Sequence, residues 1–295
     1  MSKIFKRRRL EKQWVSYIFI SPKLILLALF FVFPLLFSVY ISLTDWSALS
    51  TPHFIGLSNY KKLLGDDIFL KSLINAVVYV SVRVPFMVVV SLLLALLINE
   101  KLLGRSAFRT IYFIPEASAM VVAAMVWVYL YNTEFGVINF LLRKASLPPQ
   151  QWLSSSSQAL YSIILMTVWK DAGFYMIIFL AGLQGIPKMY YEAATIDGAT
   201  RWQMFYHITL PLLKPVVFLV VVMCTIWSFQ FFPSVYVMTG GGPVYSTMSL
   251  VLYVYNQGFK YFKMGYAAAI AYVLFFIILS FSIIERKYLG QEELY

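Results

Sequence analysis

Long apolar runs separated by short polar segments dominate the chain. Six of them read as helices that cross a bilayer: residues 15–43, 72–98, 111–131, 158–183, 213–233 and 264–284. Each reaches the roughly 20 mainly apolar residues that a spanning helix needs. Pro22, Pro34, Pro85 and Pro115 fall in or near these runs, where neighbouring helices re-satisfy the backbone groups that proline frees. One polar interruption, YEAATIDGATRWQMFYHITLP at 191–211, lies between the fourth and fifth spans. Pro187 suits a first helical turn, and Met189, Ala193 and Ile196 share one face of a helix predicted over Lys188–Asp197. Gly198 ends that helix through positive φ. A second short helix, Thr200–His207, carries Trp202, Phe205 and Tyr206 on one side, and Pro211 begins the next span. The expected shape is an L of two helices outside the bilayer. Its smooth Ala193–Ala194 surface suits either close docking of another protein or rest on the lipid interface.

Composition agrees with the pattern. The chain is 61% hydrophobic and 13% charged, against about 25% charged in soluble domains, and its mean hydropathy is +0.76. A net charge of +11 taken alone suggests nucleic acid, but the cations sit where a membrane protein keeps them. Lys3, Lys6, Arg7, Arg8, Arg9 and Lys12 precede the first run. Trp14–Tyr40 is longer than the roughly 7–15 apolar residues of a signal peptide and lacks its cleavage signature, so it reads as a retained anchor. With the N-terminus inside, the cytoplasmic segments hold 14 basic residues and the outer ones 7, which places both termini in the cytoplasm. Residues 145–157 (ASLPPQQWLSSSS) read as an exposed outer connection. One transmembrane domain, 1–295, is expected: a core at 72–284 carrying the loop 184–213, and an anchor helix with outer loop at 1–71.

Several chemistries are excluded. Cys224 is the only cysteine, so no intramolecular disulfide forms. His53 and His207 are the only histidines and no H-E-x-x-H occurs, which argues against a zinc site. No G-x-x-x-x-G-K-[ST] loop is present, so any nucleotide hydrolysis belongs to another chain. No acid/base or metal constellation marks an enzyme.

The polar loop carries a resemblance. Glu192-Ala193-Ala194, Gly198 six residues after the glutamate and Ile208-Thr209-Leu210-Pro211 sixteen after it are similar to the EAA loop of ATP-binding-cassette importer permeases. Thr239-Gly240-Gly241-Gly242-Pro243 resembles the outer-loop T-G-G-G-P of the carbohydrate-uptake, maltose-permease-like branch. NAVVYVSVRVPFMVVVSLLLALLIN (75–99), RTIYFIPEASAMVVAAMVWVYLYN (109–132) and GLQGIPKMYYEAA (182–194) agree. The resemblance implies an all-α type I importer transmembrane domain in a bacterial or archaeal cytoplasmic membrane. It also implies a second similar permease subunit forming a heterodimer, two ATPase subunits that hold the ATP and magnesium, and an extracytoplasmic substrate-binding protein. No cofactor is implied on this chain. Glu192, Ala193, Ala194, Asp197 and Gly198 would form the ATPase contact, with Gly198 as the turn.

In this branch sugar lies near mid-membrane, against the spans flanking the EAA loop. The matching positions here are Lys170, Asp171 and Phe174 on one span and Cys224, Trp227, Ser228, Gln230 and Phe231 on the other. Aromatic faces cover a sugar ring and polar side chains take its hydroxyls. Maltose-type permeases are small or apolar at the Lys170-Asp171 positions. Charges in spans need partners, and adjacent residues on a helix do not face each other, so Arg83 is the expected partner of Asp171. The pair of charges admits two readings, a polar or acidic cargo and a structural network. Lys23 is expected to snorkel to the inner surface. The leading cargo is a sugar or oligosaccharide; a polyol phosphate such as glycerol 3-phosphate is the alternative, with Lys170 and Arg83 as anion partners. An ion-coupled secondary transporter is the competing class; it fits less well because Asp171 is the only acid read as deep in a span.

Overall fold

The computed structural model describes residue 17, residues 19–100 and residues 104–289. The basic N-terminal cluster therefore lies outside the described residues. Helix α1 (Phe19–Ser42) widens into a π-turn at Ala28–Val32. A two-residue antiparallel pairing follows, β1 (Thr44–Asp45) with β2 (His53–Phe54), in register Thr44 to Phe54. Then come α2 (Ser58–Leu63), α3 (Asp67–Asn99), α4 (Arg105–Ala117), α5 (Met120–Leu130), α6 (Val137–Lys144) and α7 (Ala159–Gly185). The rest is α8 (Lys188–Ile196), α9 (Arg201–Phe229), α10 (Pro233–Met238), α11 (Leu250–Tyr255) and α12 (Met264–Leu289).

Helix α7 is the axis of the bundle, with 67% of its central window buried, whereas α1 has only 6% buried and lies at the periphery. Packing around α7 uses small residues, which let backbones approach where apolar attraction is matched by lipid. A Cβ on Gly173 would stand 2.1 Å from the Tyr112 carbonyl oxygen of α4, and one on Gly182 2.7 Å from Val216 of α9. Helix α3 begins where Asp66 accepts hydrogen bonds from the Ile68 and Phe69 N–H groups, both at 3.0 Å, satisfying two orphan donors of its first turn. It continues for 33 residues through Pro85.

Four spans match the apolar pattern within a few residues at each end. Two differ. The predicted span 111–131 is a broken pair, α4 and α5, bent by 97°. Ser118 and Ala119 are extended at the break, and Ser118 takes the Pro115 carbonyl with its N–H (3.2 Å) and its hydroxyl (2.6 Å). The predicted span 213–233 starts far earlier, because α9 is one helix from Arg201. The short helix expected at Thr200–His207 is thus the first part of that span. A π-turn at Phe205–Thr209 precedes Pro211, widening the ladder where proline removes a donor and crowds the preceding turn.

The segment after α9, residues 234–263, is folded and packed rather than extended. It climbs back along the N-terminal half of α3. Near the end of α9 Ser228 touches Arg83; beyond it Phe231 stacks on Tyr79, Asn75 donates to the Tyr245 and Met248 carbonyls, and Tyr253 reaches Asp66. Thr247, Ser249 and Leu250 are fully buried within it. The glycine run forms a folded turn. Gly240 and Gly241 have φ of +60° and +95°, and Thr247 bonds Thr239 at 2.7 Å and the Gly242 carbonyl at 2.8 Å.

Candidate functional site

Two places concentrate the predicted functional residues. The first is the bracket formed by α8 and the start of α9. Helix α8 closes as a Schellman turn: Ala199 N–H reaches the Ala194 carbonyl at 2.9 Å and Gly198 N–H the Thr195 carbonyl at 3.1 Å, with Gly198 at φ +76°. Thr200 and Gln203 then form a reciprocal capping box at the start of α9. Tyr191 Oη lies 2.9 Å from Thr209 Oγ1 and fixes the angle between the two arms. Glu192, Ala193, Asp197 and Gly198 are exposed and Ala194 half-buried. The arms enclose a concavity lined by Ala194, Asp197, Gly198, Met204 and His207, while Glu192 lines another with Lys188, Tyr191 and Ile196. Met189 and Ile196 are 66% and 87% exposed, so this apolar face finds no cover among the described residues.

The second place is a charge network halfway along α3. Arg83, at the seventeenth of 33 positions in that helix, is almost wholly buried, and four of its five N–H donors have partners. It pairs with Asp171 and donates through Nη1 to Ser228 Oγ (2.6 Å) and Cys224 Sγ (3.3 Å), and through Nε to Thr167 Oγ1 (3.3 Å). Thr167 also meets Tyr79 Oη at 2.9 Å. Tyr79 in turn lies flat on Phe231, ring centroids 3.9 Å apart. Lys170 Nζ stands 3.5 Å from Glu116 and 3.7 Å from Asp171. The backbone contact between Gly173 and Tyr112 sets this up. Glu116 lies one turn beyond Tyr112 on α4, and Lys170 one turn before Gly173 on α7, so the crossing brings the two side chains together.

Residues 64–286 match the family model described as binding-protein-dependent transport system inner membrane component. The chain belongs to this family. It is 36% identical over 274 residues to the trehalose/maltose transport system permease protein MalF of Thermococcus litoralis, covering 92% of each chain. It is 32% identical over 287 residues to the sn-glycerol-3-phosphate transport system permease protein UgpA of Yersinia pestis, covering 96% of each. A solved bacterial ABC transporter involved in importing the acidic polysaccharide alginate superposes with a TM-score of 0.81 at 26% identity, over 95% of this chain and 98% of that one. The protein is therefore a multi-pass transport subunit of the cytoplasmic membrane, from a sugar-importing ABC permease family, and not an enzyme.

In this permease, Arg83, Lys170, Asp171, Cys224 and Ser228 come together in one network, and Phe231 joins it through Tyr79. Stacking covers one face of the Phe231 ring, so that face is not open to a sugar. Phe174 is half-buried, in edge contact with Tyr175. Trp227 is 63% exposed, and Gln230 is exposed beside it. Two expectations need correction. Lys170 and Asp171, although adjacent, do approach each other, because the lysine stem is long enough to fold back along the helix. Asp171 is not the only acid within the spans, since Glu116 lies inside the predicted 111–131 run. The rule that an acid within a span marks function would have found Glu116; its place beside Pro115 at the helix break hid it. Tyr79 and Thr167 carried no comparable signal.

Proposed function

We propose that this permease is one half of the membrane pore of an ATP-driven importer for a sugar or oligosaccharide. It pairs with a second, similar permease, two ATPase subunits and an extracytoplasmic binding protein, with both of its own termini cytoplasmic. One observation carries the reading: the bracket and the charge network are joined by a single helix. From Arg201 to Ser228, α9 runs unbroken, about 40 Å at 1.5 Å per residue. A tilt imposed on the bracket by closing ATPases is therefore delivered at Cys224 and Ser228, the side chains that hold Arg83. Exposure of Glu192, Ala193 and the apolar α8 face supports the bracket as the ATPase contact, with Gly198 as its turn. The relatives' names support saccharide cargo, and that of UgpA favours a polyol phosphate as the second candidate.

The test is the complete complex in proteoliposomes. Glu192→Ala and Gly198→Pro are expected to insert normally and leave ATP hydrolysis running while uptake falls by an order of magnitude. Parent-rate uptake by an assembled Glu192→Ala complex would remove the role given to that carboxylate. Uptake driven by an ion gradient with ATP absent would remove the ATP-driven reading altogether.

A further inference from the structure

The arrangement of charge in the network points to the class of cargo. This rests on the importer reading above and takes the charge network to border the path of the cargo. The geometry points to Glu116 as a cargo-contacting specificity residue that, with Asp171, selects uncharged saccharides and turns anionic ones away.

The argument starts from which charges face outward. The Arg83 and Lys170 side chains are 4% and 7% exposed, whereas those of Asp171 and Glu116 are 19% and 30% exposed. The two cations lie behind and the two carboxylates lie in front. Four of the five N–H groups of Arg83 already serve Asp171, Ser228, Cys224 and Thr167, and its head is buried behind them. Lys170 sits between Glu116 and Asp171 and also reaches the Glu116 carbonyl at 3.4 Å. Each cation already stands against a carboxylate, Arg83 against Asp171 and Lys170 against Glu116, so an arriving anion would have to displace a partner to be neutralised.

An ionised carboxylate is acceptor-only. The accessible oxygens of Glu116 and Asp171 therefore suit hydroxyl donors, which a neutral sugar offers in number. A phosphate or uronate would meet like charge before it reached either cation, and a misplaced like charge is an effective rejecting element. Glu116 owes its position to the α4–α5 break, since the chain turns away two residues later at Ser118. This reverses the role that the charged residues suggest from the sequence, where Lys170 and Arg83 look like anion partners.

The test measures probe binding and uptake by the assembled complex in lipid, with maltose and trehalose as neutral probes and sn-glycerol 3-phosphate and digalacturonate as anionic ones. The parent is expected to take the neutral probes and discriminate against the anions. Glu116→Gln should lose about tenfold in affinity for neutral probes, the equivalent of one charge-assisted hydrogen bond, and should narrow the discrimination against anions. Glu116→Asp, which keeps the charge, should keep the discrimination and so separates selectivity from folding. Preference of the parent for an anionic probe overturns the inference, as does unchanged selectivity in Glu116→Gln; both leave the importer reading intact. Failure to handle any saccharide probe with ATP present overturns the importer reading together with the inference.

Discussion

Replacing Arg83 with methionine removes the cation on which four acceptors converge. Asp171 loses its ion pair and Ser228 its 2.6 Å donor. Truncating one partner of a buried pair costs about 3–5 kcal/mol, because the other charge is left uncompensated. Here Lys170 remains 3.7 Å from Asp171, which moves the expected cost to the low end, about 3 kcal/mol. Removing both ions, as Arg83→Met with Asp171→Leu, leaves Lys170 paired with Glu116 and the site still neutral. That double variant should lie within about 1 kcal/mol of the parent, since a buried pair replaced by apolar side chains is often nearly neutral. Arg83→Lys keeps the charge but not the fork that serves Thr167, Ser228 and Asp171 together, and should cost about 1–2 kcal/mol. Unfolding in mixed micelles titrated with SDS, read by circular dichroism, gives each value, and a double-mutant cycle gives the coupling. A coupling energy of zero would show that Arg83 and Asp171 do not act as a unit and would refute the reasoning.

Gly173→Ala places a Cβ 2.1 Å from a backbone oxygen that cannot rotate away, so α4 and α7 must part. The expected cost is about 1–3 kcal/mol with loss of coupling between Lys170 and Glu116, and a Gly173→Ala variant of parental stability with that coupling intact would count against the crossing described. On the opposite end of α3, burial pushes the Asp66 carboxyl up, but hydrogen bonds led by those from Tyr253 and Tyr266 outweigh it and hold the group below its ordinary 3.8. A depressed folded value means that this stabilisation is present above about 3.8 and is lost as pH falls through the lower, folded value. Asp66→Asn, which can still cap the helix, should therefore lose about 1 kcal/mol at neutral pH and show a flatter acid limb than the parent in unfolding midpoints measured from pH 7 to 3.

Much of this protein follows from one-dimensional physics. A run of some 20 apolar residues has few alternatives to a spanning helix, since backbone groups in lipid must be satisfied within the segment. The first arm of the bracket and its turn were equally legible, because Pro187 and Gly198 are local signals that act over three or four residues. Other features depend on which helices cross. Whether 234–263 is a loop or a buried return along α3 turns on Asn75 and Asp66, which lie far away in sequence. The partners of Lys170 and Arg83 are settled in the same way. Spacing places the cations in spans, but only the Gly173–Tyr112 contact puts Glu116 in front of Lys170, and only the tertiary fold turns Ser228, Cys224 and Thr167 toward Arg83. Local chemistry decided where helices start and stop; long-range packing decided which charges face outward, because burial is a property of the whole assembly of helices and not of any one of them.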